Sequence, residues 1–283
     1  MKLTQHIDSI RLKINNLKIQ PLLISEYTYK QDDKGKYLFK QPKGKSYTLF
    51  TLKDHKTNKG EHYQLIEFNG FKKYSNRDNK IKKAFNHIIQ ILKDNDIEFY
   101  LNKIDLAIDF FDIDFYDFRK TIREPKRGLK RNLITKLTET EKQDIRDNRK
   151  TYYLEKQTQQ KNKVKQRAYI YNKGLKEQLK ENIYRFEVSL YNFTDIEKNE
   201  DLKKLELDIL AIELINKNKT LHMSDEIKIK ILKQLYKTKY TQLIEEEIKQ
   251  RINSYKIDYL GKQIYFDNSL IKEILKIATN PKE

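Results

Sequence analysis

Asn102-Lys103-Ile104-Asp105-Leu106-Ala107-Ile108-Asp109-Phe110 alternates apolar and polar side chains along a short run. Successive side chains of a β-strand point to opposite faces. Ile104, Leu106, Ile108 and Phe110 therefore share one face, and Asp105, Ala107 and Asp109 the other. One face is continuously apolar and belongs to a core. The other carries two acids separated by an alanine. Asp is depleted in strands and costly to bury without a partner. Lys or Arg side chains, or a metal ion, must compensate those charges.

Working outward, 283 residues allow one large domain or two smaller ones. There is no cysteine. Disulfides, zinc–thiolate sites and cysteine nucleophiles are thereby excluded, which fits a reducing compartment. The first residues carry no apolar signal-peptide core, and no run approaches the roughly 18 apolar residues of a membrane helix. A soluble, cytoplasmic protein with no membrane partner is expected. No Gly-rich phosphate loop is present, which argues against a P-loop ATPase or a Rossmann enzyme.

The formal net charge is +18, and it is unevenly spread. Residues 119–181 hold 20 Lys and Arg against 8 Asp and Glu, two thirds of the excess. A polyanion is the expected partner of such a segment. Its densest part is Arg123-Glu124-Pro125-Lys126-Arg127-Gly128-Leu129-Lys130-Arg131, a loop by its Pro and Gly. The chain also has 19 Tyr and 13 Phe, and aromatics interleaved with cations suit stacking on unpaired bases. A nucleic acid is the expected partner, with Lys126, Arg127, Lys130, Arg131, Arg167 and Arg185 as contacts.

The element pattern predicts an α+β fold with a central, mainly antiparallel sheet flanked by helices. Ile7, Ile10, Ile14 and Leu17 are spaced as in a helix over residues 1–20. Strands are expected at 22–30, 36–40, 45–53 and 61–69, with Gly, Pro, Asn and Asp at the breaks. Ile81, Phe85, Ile88 and Leu92 stripe a helix over 78–93. A short helix is expected at 112–122, and strands at 151–154, 167–173 and 184–190. Helical periodicity then dominates at 200–216, 224–236, 239–254 and 268–278. This divides the chain into a strand-rich part, 1–194, and a mainly helical C-terminal part, 195–283.

Two later strands bear on chemistry. In Arg167-Ala168-Tyr169-Ile170-Tyr171-Asn172-Lys173, period two puts two phenols and two cations on one face. A neighbouring cation favours phenolate. The face is either a tyrosine nucleophile with cations for a phosphate, or an ordinary sheet surface. In Tyr184-Arg185-Phe186-Glu187-Val188, Glu187 is a third mid-strand carboxylate. Asp105, Asp109 and Glu187 together suit a hard cation such as Mg²⁺ or Mn²⁺. Taken singly, each acid is as readily explained by a salt bridge.

These three motifs, in this order, resemble the Rep_trans replication initiation factors, which include rolling-circle plasmid initiators and related relaxases. The resemblance covers about residues 45–195. It implies a fold related to the HUH endonucleases and nicking of one DNA strand at an origin, single-stranded or in an extruded hairpin. It further implies Tyr171 as the nucleophile that forms a 5′-phosphotyrosine, Tyr169 as runner-up, and Lys173 beside the phosphate. Asp105 and Glu187 become ligands of Mg²⁺ or Mn²⁺, with Asp109 in support. The C-terminal part is left for origin recognition, homodimerisation or contact with a host helicase. Two other readings stay open: a non-catalytic DNA-binding protein on the same scaffold, and a metal-dependent nuclease that uses water.

Neutralising Lys126, Arg127, Lys130 and Arg131 together is expected to weaken DNA binding and flatten its salt dependence. The log–log slope should fall by roughly 0.9 for each phosphate that these cations no longer neutralise. A salt titration by fluorescence anisotropy measures both effects.

Overall fold

Strand pairing, more than the pattern of any one segment, sets the architecture of this protein. The computed structural model describes residues 2–15, 19–40, 47–57, 60–71, 76–113, 122–123, 140, 143, 151–153, 165–191, 193, 196, 198–216, 223–253, 256–259 and 262–278. In chain order the elements are β1 (Leu3–Ile14), α1 (Ile19–Glu26), β2 (Thr28–Gln31), β3 (Tyr37–Lys40), β4 (Thr48–Lys56), β5 (His62–Asn69) and α2 (Asn76–Asp94). There follow β6 (Phe99–Phe111), β7 (Ile122–Arg123), β8 (Tyr152–Tyr153), β9 (Gln166–Asn172), α3 (Lys173–Lys176) and β10 (Ile183–Tyr191). The chain continues with α4 (Glu200–Asn216), α5 (Met223–Ile252), β11 (Lys256–Tyr259), β12 (Lys262–Ile264) and α6 (Asn268–Ala278). The expected α+β class and the helical character after residue 195 are both present. No described helix is long and apolar enough to cross a membrane.

The chain forms two compact units. One comprises Met1–Ser9, Lys103–Tyr191 and Glu247–Ile271, the other Ile10–Asn102, Asn192–Glu246 and Lys272–Glu283. Each draws on both sides of residue 194. In the first unit the hydrogen-bonded strand order is β1-β6-β10-β9-β8, and a small sheet runs β12-β11-β7. β10 pairs antiparallel with β6 and with β9. Ile104, Leu106, Ile108 and Phe110 are fully buried, as are Phe186, Val188 and Leu190 opposite them. Phe266 closes on this apolar face, its ring 6.5 Å from that of Phe186. β6 ends where Asp112 turns to a φ of 52°, a conformation Asp tolerates better than most residues.

In the second unit the order is β2-β3-β4-β5-β1. Phe39, Phe50 and Phe68 form a cross-strand ladder, with centroids 4.7 and 5.5 Å apart. Phe85 of α2 meets Phe68 edge to face at 5.0 Å. The stripe Ile81, Phe85, Ile88 and Leu92 is buried, as its spacing predicts.

Several expectations need correction. Residues 3–14 form a strand, not a helix. Its buried residues include Ile7, Ser9, Ile10, Leu12 and Ile14, with Ser9 and Ile10 consecutive. Asp8 and Ser9 are also consecutive on the polar side, bonded to Arg185 and Asp105, and this one-residue slip in the alternation turns a period of two into spacings of three and four, which imitate a helix. Residues 19–26 are helical, in place of the start of the strand expected at 22–30. Pro21 sits within the first turn, where it is tolerated, and Ile19 and Leu23 are buried one turn apart. The helices expected at 224–236 and 239–254 are one helix. Thr238 and Thr241 donate to the carbonyls of Gln234 and Lys237, and nothing breaks the turn between them. Lys173 opens α3 rather than ending β9, so it leaves the face of Tyr169 and Tyr171. The helix expected at 112–122 falls almost wholly outside the described residues, as do Lys126, Arg127, Lys130 and Arg131.

α3 lies tight against the start of β10. A Cβ on Gly174 would stand 2.4 Å from the Glu181 carbonyl oxygen and 3.0 Å from the Ile183 nitrogen, both backbone atoms. Gly174→Ala is therefore expected to destabilise the protein by about 1–3 kcal/mol. Urea denaturation followed by circular dichroism measures this.

Candidate functional site

The register of β10 assembles a polar cluster on the face opposite the apolar one. Arg185 lies across from Asp109, Glu187 from Ala107, and Ser189 from Asp105. On the other side Arg185 pairs with Tyr171 and Glu187 with Tyr169. Ala107 leaves room for the Glu187 carboxylate between the two aspartates. β1 supplies His6, Asp8 and Ser9.

Arg185 is fully buried. Its Nε and Nη2 donate to the two oxygens of Asp109 at 2.5 and 2.7 Å. Nη1 donates to Asp8 at 2.5 Å, and Nη2 also to His6 Nε2 at 2.9 Å. Burial alone would lower the guanidinium pKa, but Asp8 and Asp109 outweigh it and hold Arg185 charged. His6 is pushed down to about 4, chiefly by burial and then by Arg185, against the pull of Asp109 and Asp8. It is thus a neutral acceptor at neutral pH. Asp105 accepts from Ser9, from Ser189 and from Lys103, the last at 2.6 Å.

Glu187 takes a different kind of partner. Tyr169 Oη donates to Oε1 and Tyr171 Oη to Oε2, each at 2.7 Å. Tyr169 Oη also lies 2.7 Å from Ser189 Oγ, which links Glu187 to Asp105. Arg185 Nη1 approaches Glu187 only to 3.9 Å. Burial, with the charges of Asp8 and Asp105, raises the Glu187 carboxyl to about 7, and Arg185 only partly offsets this. The expected cation-lowered phenol is not found. Burial first and Glu187 second push both Tyr171 and Tyr169 upward, and Arg185 is too weak a counterweight at Tyr171. Both are neutral phenols.

The structure thus brings together Asp105, Asp109, Glu187, Tyr169, Tyr171 and Arg185. Lys173 is buried nearby and paired with Glu177 at 2.5 Å, its ammonium 5.8 Å from the Tyr171 ring. The ammonium of Lys176, an exposed residue, lies 4.4 Å from the same ring. Arg167 stands over Tyr191 at 5.9 Å instead. His6, Asp8 and Ser9 escape a reading of the sequence, because β1 reads as a helix. The alternation of Thr4, His6 and Asp8 is the signal that could have found the first two, while Ser9 falls outside that alternation.

Mg²⁺ or Mn²⁺ does not fit these acids as they are disposed. Asp109 is held by Arg185, Asp105 by two hydroxyls and an ammonium, and Glu187 by two phenols. Among the described residues, no three His, Asp or Glu side chains are arranged to share an ion.

No family model and no curated protein matches the chain. It is similar to a solved structure, the rolling circle replication initiator protein from Geobacillus stearothermophilus, at 11% identity and a TM-score of 0.34. That alignment covers 80% of this chain and 91% of the other.

Removing one partner of a buried ion pair leaves an uncompensated charge, which costs about 3–5 kcal/mol. Asp109→Ala should destabilise the protein by that order, since Arg185 would keep its charge. Asp109→Leu combined with Arg185→Met should recover much of the loss. Urea midpoints of the two variants against the parent decide this.

Proposed function

We propose that this chain is a DNA strand-nicking protein of the replication-initiator or relaxase kind, with Tyr171 as nucleophile. The observation that carries the reading is the hydrogen bond from Tyr171 Oη to Glu187 at 2.7 Å. It joins a neutral phenol to a carboxylate whose pKa stands near neutrality. A general base is most useful when its pKa lies close to the working pH. The concentrated positive charge of residues 119–181 and the order of the three motifs support DNA as the substrate.

In this reading Tyr171 Oη attacks phosphorus as its proton passes to Glu187. The Oη–P bond forms and the P–O3′ bond breaks. The product is a 5′-phosphotyrosine and a strand ending in a 3′ hydroxyl, whose oxygen takes its proton from water. Arg185 Nη1, 3.5 Å from Tyr171 Oη, stabilises negative charge as it grows on the phenol oxygen. Tyr169 holds the other oxygen of Glu187 and keeps the carboxylate in place.

One observation favours a second reading. Tyr171 is only 3% exposed, and the acids around it are already satisfied. The cluster would then be a structural network in a DNA-binding protein that cuts nothing.

Incubation with single-stranded DNA, with Mg²⁺, Mn²⁺ or chelator, followed by a denaturing gel, separates these. A covalent adduct lost in Tyr171→Phe is the expected result. Binding without adduct under every condition favours the structural network, and cleavage without adduct a water-using nuclease. Glu187 must be deprotonated to accept, and its raised pKa keeps it protonated below about 7. The rate of adduct formation should therefore rise with pH and level off above that value. Glu187→Gln should remove this pH dependence and slow the reaction by about 10²–10⁴.

A further inference from the structure

The second unit carries a basic and aromatic sheet face that none of this chemistry uses. Register places His55 opposite Tyr63, Lys53 opposite Leu65 and Thr51 opposite Glu67. Paired residues share a face, so these side chains stand together. Phe50, Leu52, Ile66 and Phe68 occupy the other face, where Phe85 of α2 packs. Asp54, bonded to Gln64 at 2.7 Å, belongs by alternation with that other face.

The rings of His55 and Tyr63 are stacked, with centroids 5.3 Å apart and planes 13° from parallel. Lys13 extends from β1 to place its ammonium 5.5 Å from the Tyr63 centroid. Arg11 lies on the same strand and donates to Glu67 at 2.7 Å, while Lys36 approaches the other oxygen of Glu67 at 3.8 Å. Arg11 and Lys36 flank Glu67, Lys13 lies over Tyr63, and Lys53 and Arg11 are close enough to act on the His55 ring, while Asp32 lies within reach of Lys36 and Lys53. Burial first, then Lys53 and Arg11, holds His55 below the usual imidazole range. At neutral pH it is an uncharged ring suited to stacking.

The geometry points to this face as a binding platform for single-stranded DNA, with bases stacked on Tyr63 and His55 and phosphates held by Lys13, Lys53, Arg11 and Lys36. An unpaired base offers the flat π surface that continues such a stack, whereas a duplex keeps its bases to itself. Cations lining an extended face track a phosphate backbone. None of these residues belongs to the Tyr171–Glu187 cluster. The choice of DNA rests on the function proposed above.

The test uses the full chain and a fluorescein-labelled oligo-dT of about 20 nucleotides, beside a duplex of the same length, read by anisotropy. Tyr63→Ala is expected to weaken oligo-dT binding about tenfold, since a base loses the ring it stacks on. Tyr63→Phe, which keeps the ring, should bind like the parent, and duplex affinity should not respond to either change. The pair Lys13→Gln and Lys53→Gln should lower the log–log salt slope by roughly 1.4 on the single strand. Parental oligo-dT affinity in Tyr63→Ala, an equal loss on the duplex, or an unchanged slope in the lysine pair each overturns the proposal. The adduct assay on the parent separates the two ideas. Loss of binding in Tyr63→Ala without any adduct supports this platform and sinks the nicking reading. Adduct formation with parental binding in Tyr63→Ala sinks the platform alone.

Discussion

The guanidinium of Arg185 is sealed from water, and much of the first unit follows from that. A buried charge is tolerated only with good geometry and with its remaining hydrogen-bonding positions filled. Asp109 meets it with both oxygens, Asp8 with one, and His6 with a ring nitrogen. These partners lie on two other strands, β6 and β1. The pairing of β10 with β6 is therefore constrained as much by this ion pair as by the apolar face behind it. A slip of one residue would turn Arg185 toward Phe266 and bring Phe186 among the acids.

The same pair sets the properties of Glu187. Arg185 spends its donors on Asp109, Asp8 and His6, and reaches Glu187 only at 3.9 Å. Glu187 is left with two phenols as donors and with Asp8 and Asp105 as like charges. Its carboxyl accordingly rises to about 7, while Asp109 is held by the cation that Glu187 lacks. Carboxylates on adjacent strands thereby differ in their partners, Asp109 meeting a guanidinium with both oxygens and Glu187 accepting from two phenols.

How much of this is readable from the sequence varies by strand. β6, β9 and β10 keep a clean period of two, so Asp105, Asp109, Tyr169, Tyr171, Arg185 and Glu187 can be assigned to faces without coordinates. Their convergence is inferable only as a condition, since register is a property of pairs. β1 reads wrongly because the slip at Asp8 and Ser9 imitates helical spacing, and His6, Asp8 and Ser9 are lost with it. The sign of the tyrosine shift is misjudged for a different reason. Alternation locates a neighbouring cation but does not show that the cation is already committed to closer acids. The small sheet of β7, β11 and β12 is not foreseen at all, its strands being only two to four residues long.

The burial of Tyr171 bears directly on the proposed reaction. A phenol that is 3% exposed and held by Glu187 does not meet a phosphodiester by diffusion alone. The exposed residue above it is Lys176, whose ammonium rests 4.4 Å from the ring. A cation over a π face gives about 0.5–1 kcal/mol at an exposed site, less than a charge-assisted bond to an anionic oxygen. An arriving phosphate therefore has the stronger claim on that ammonium.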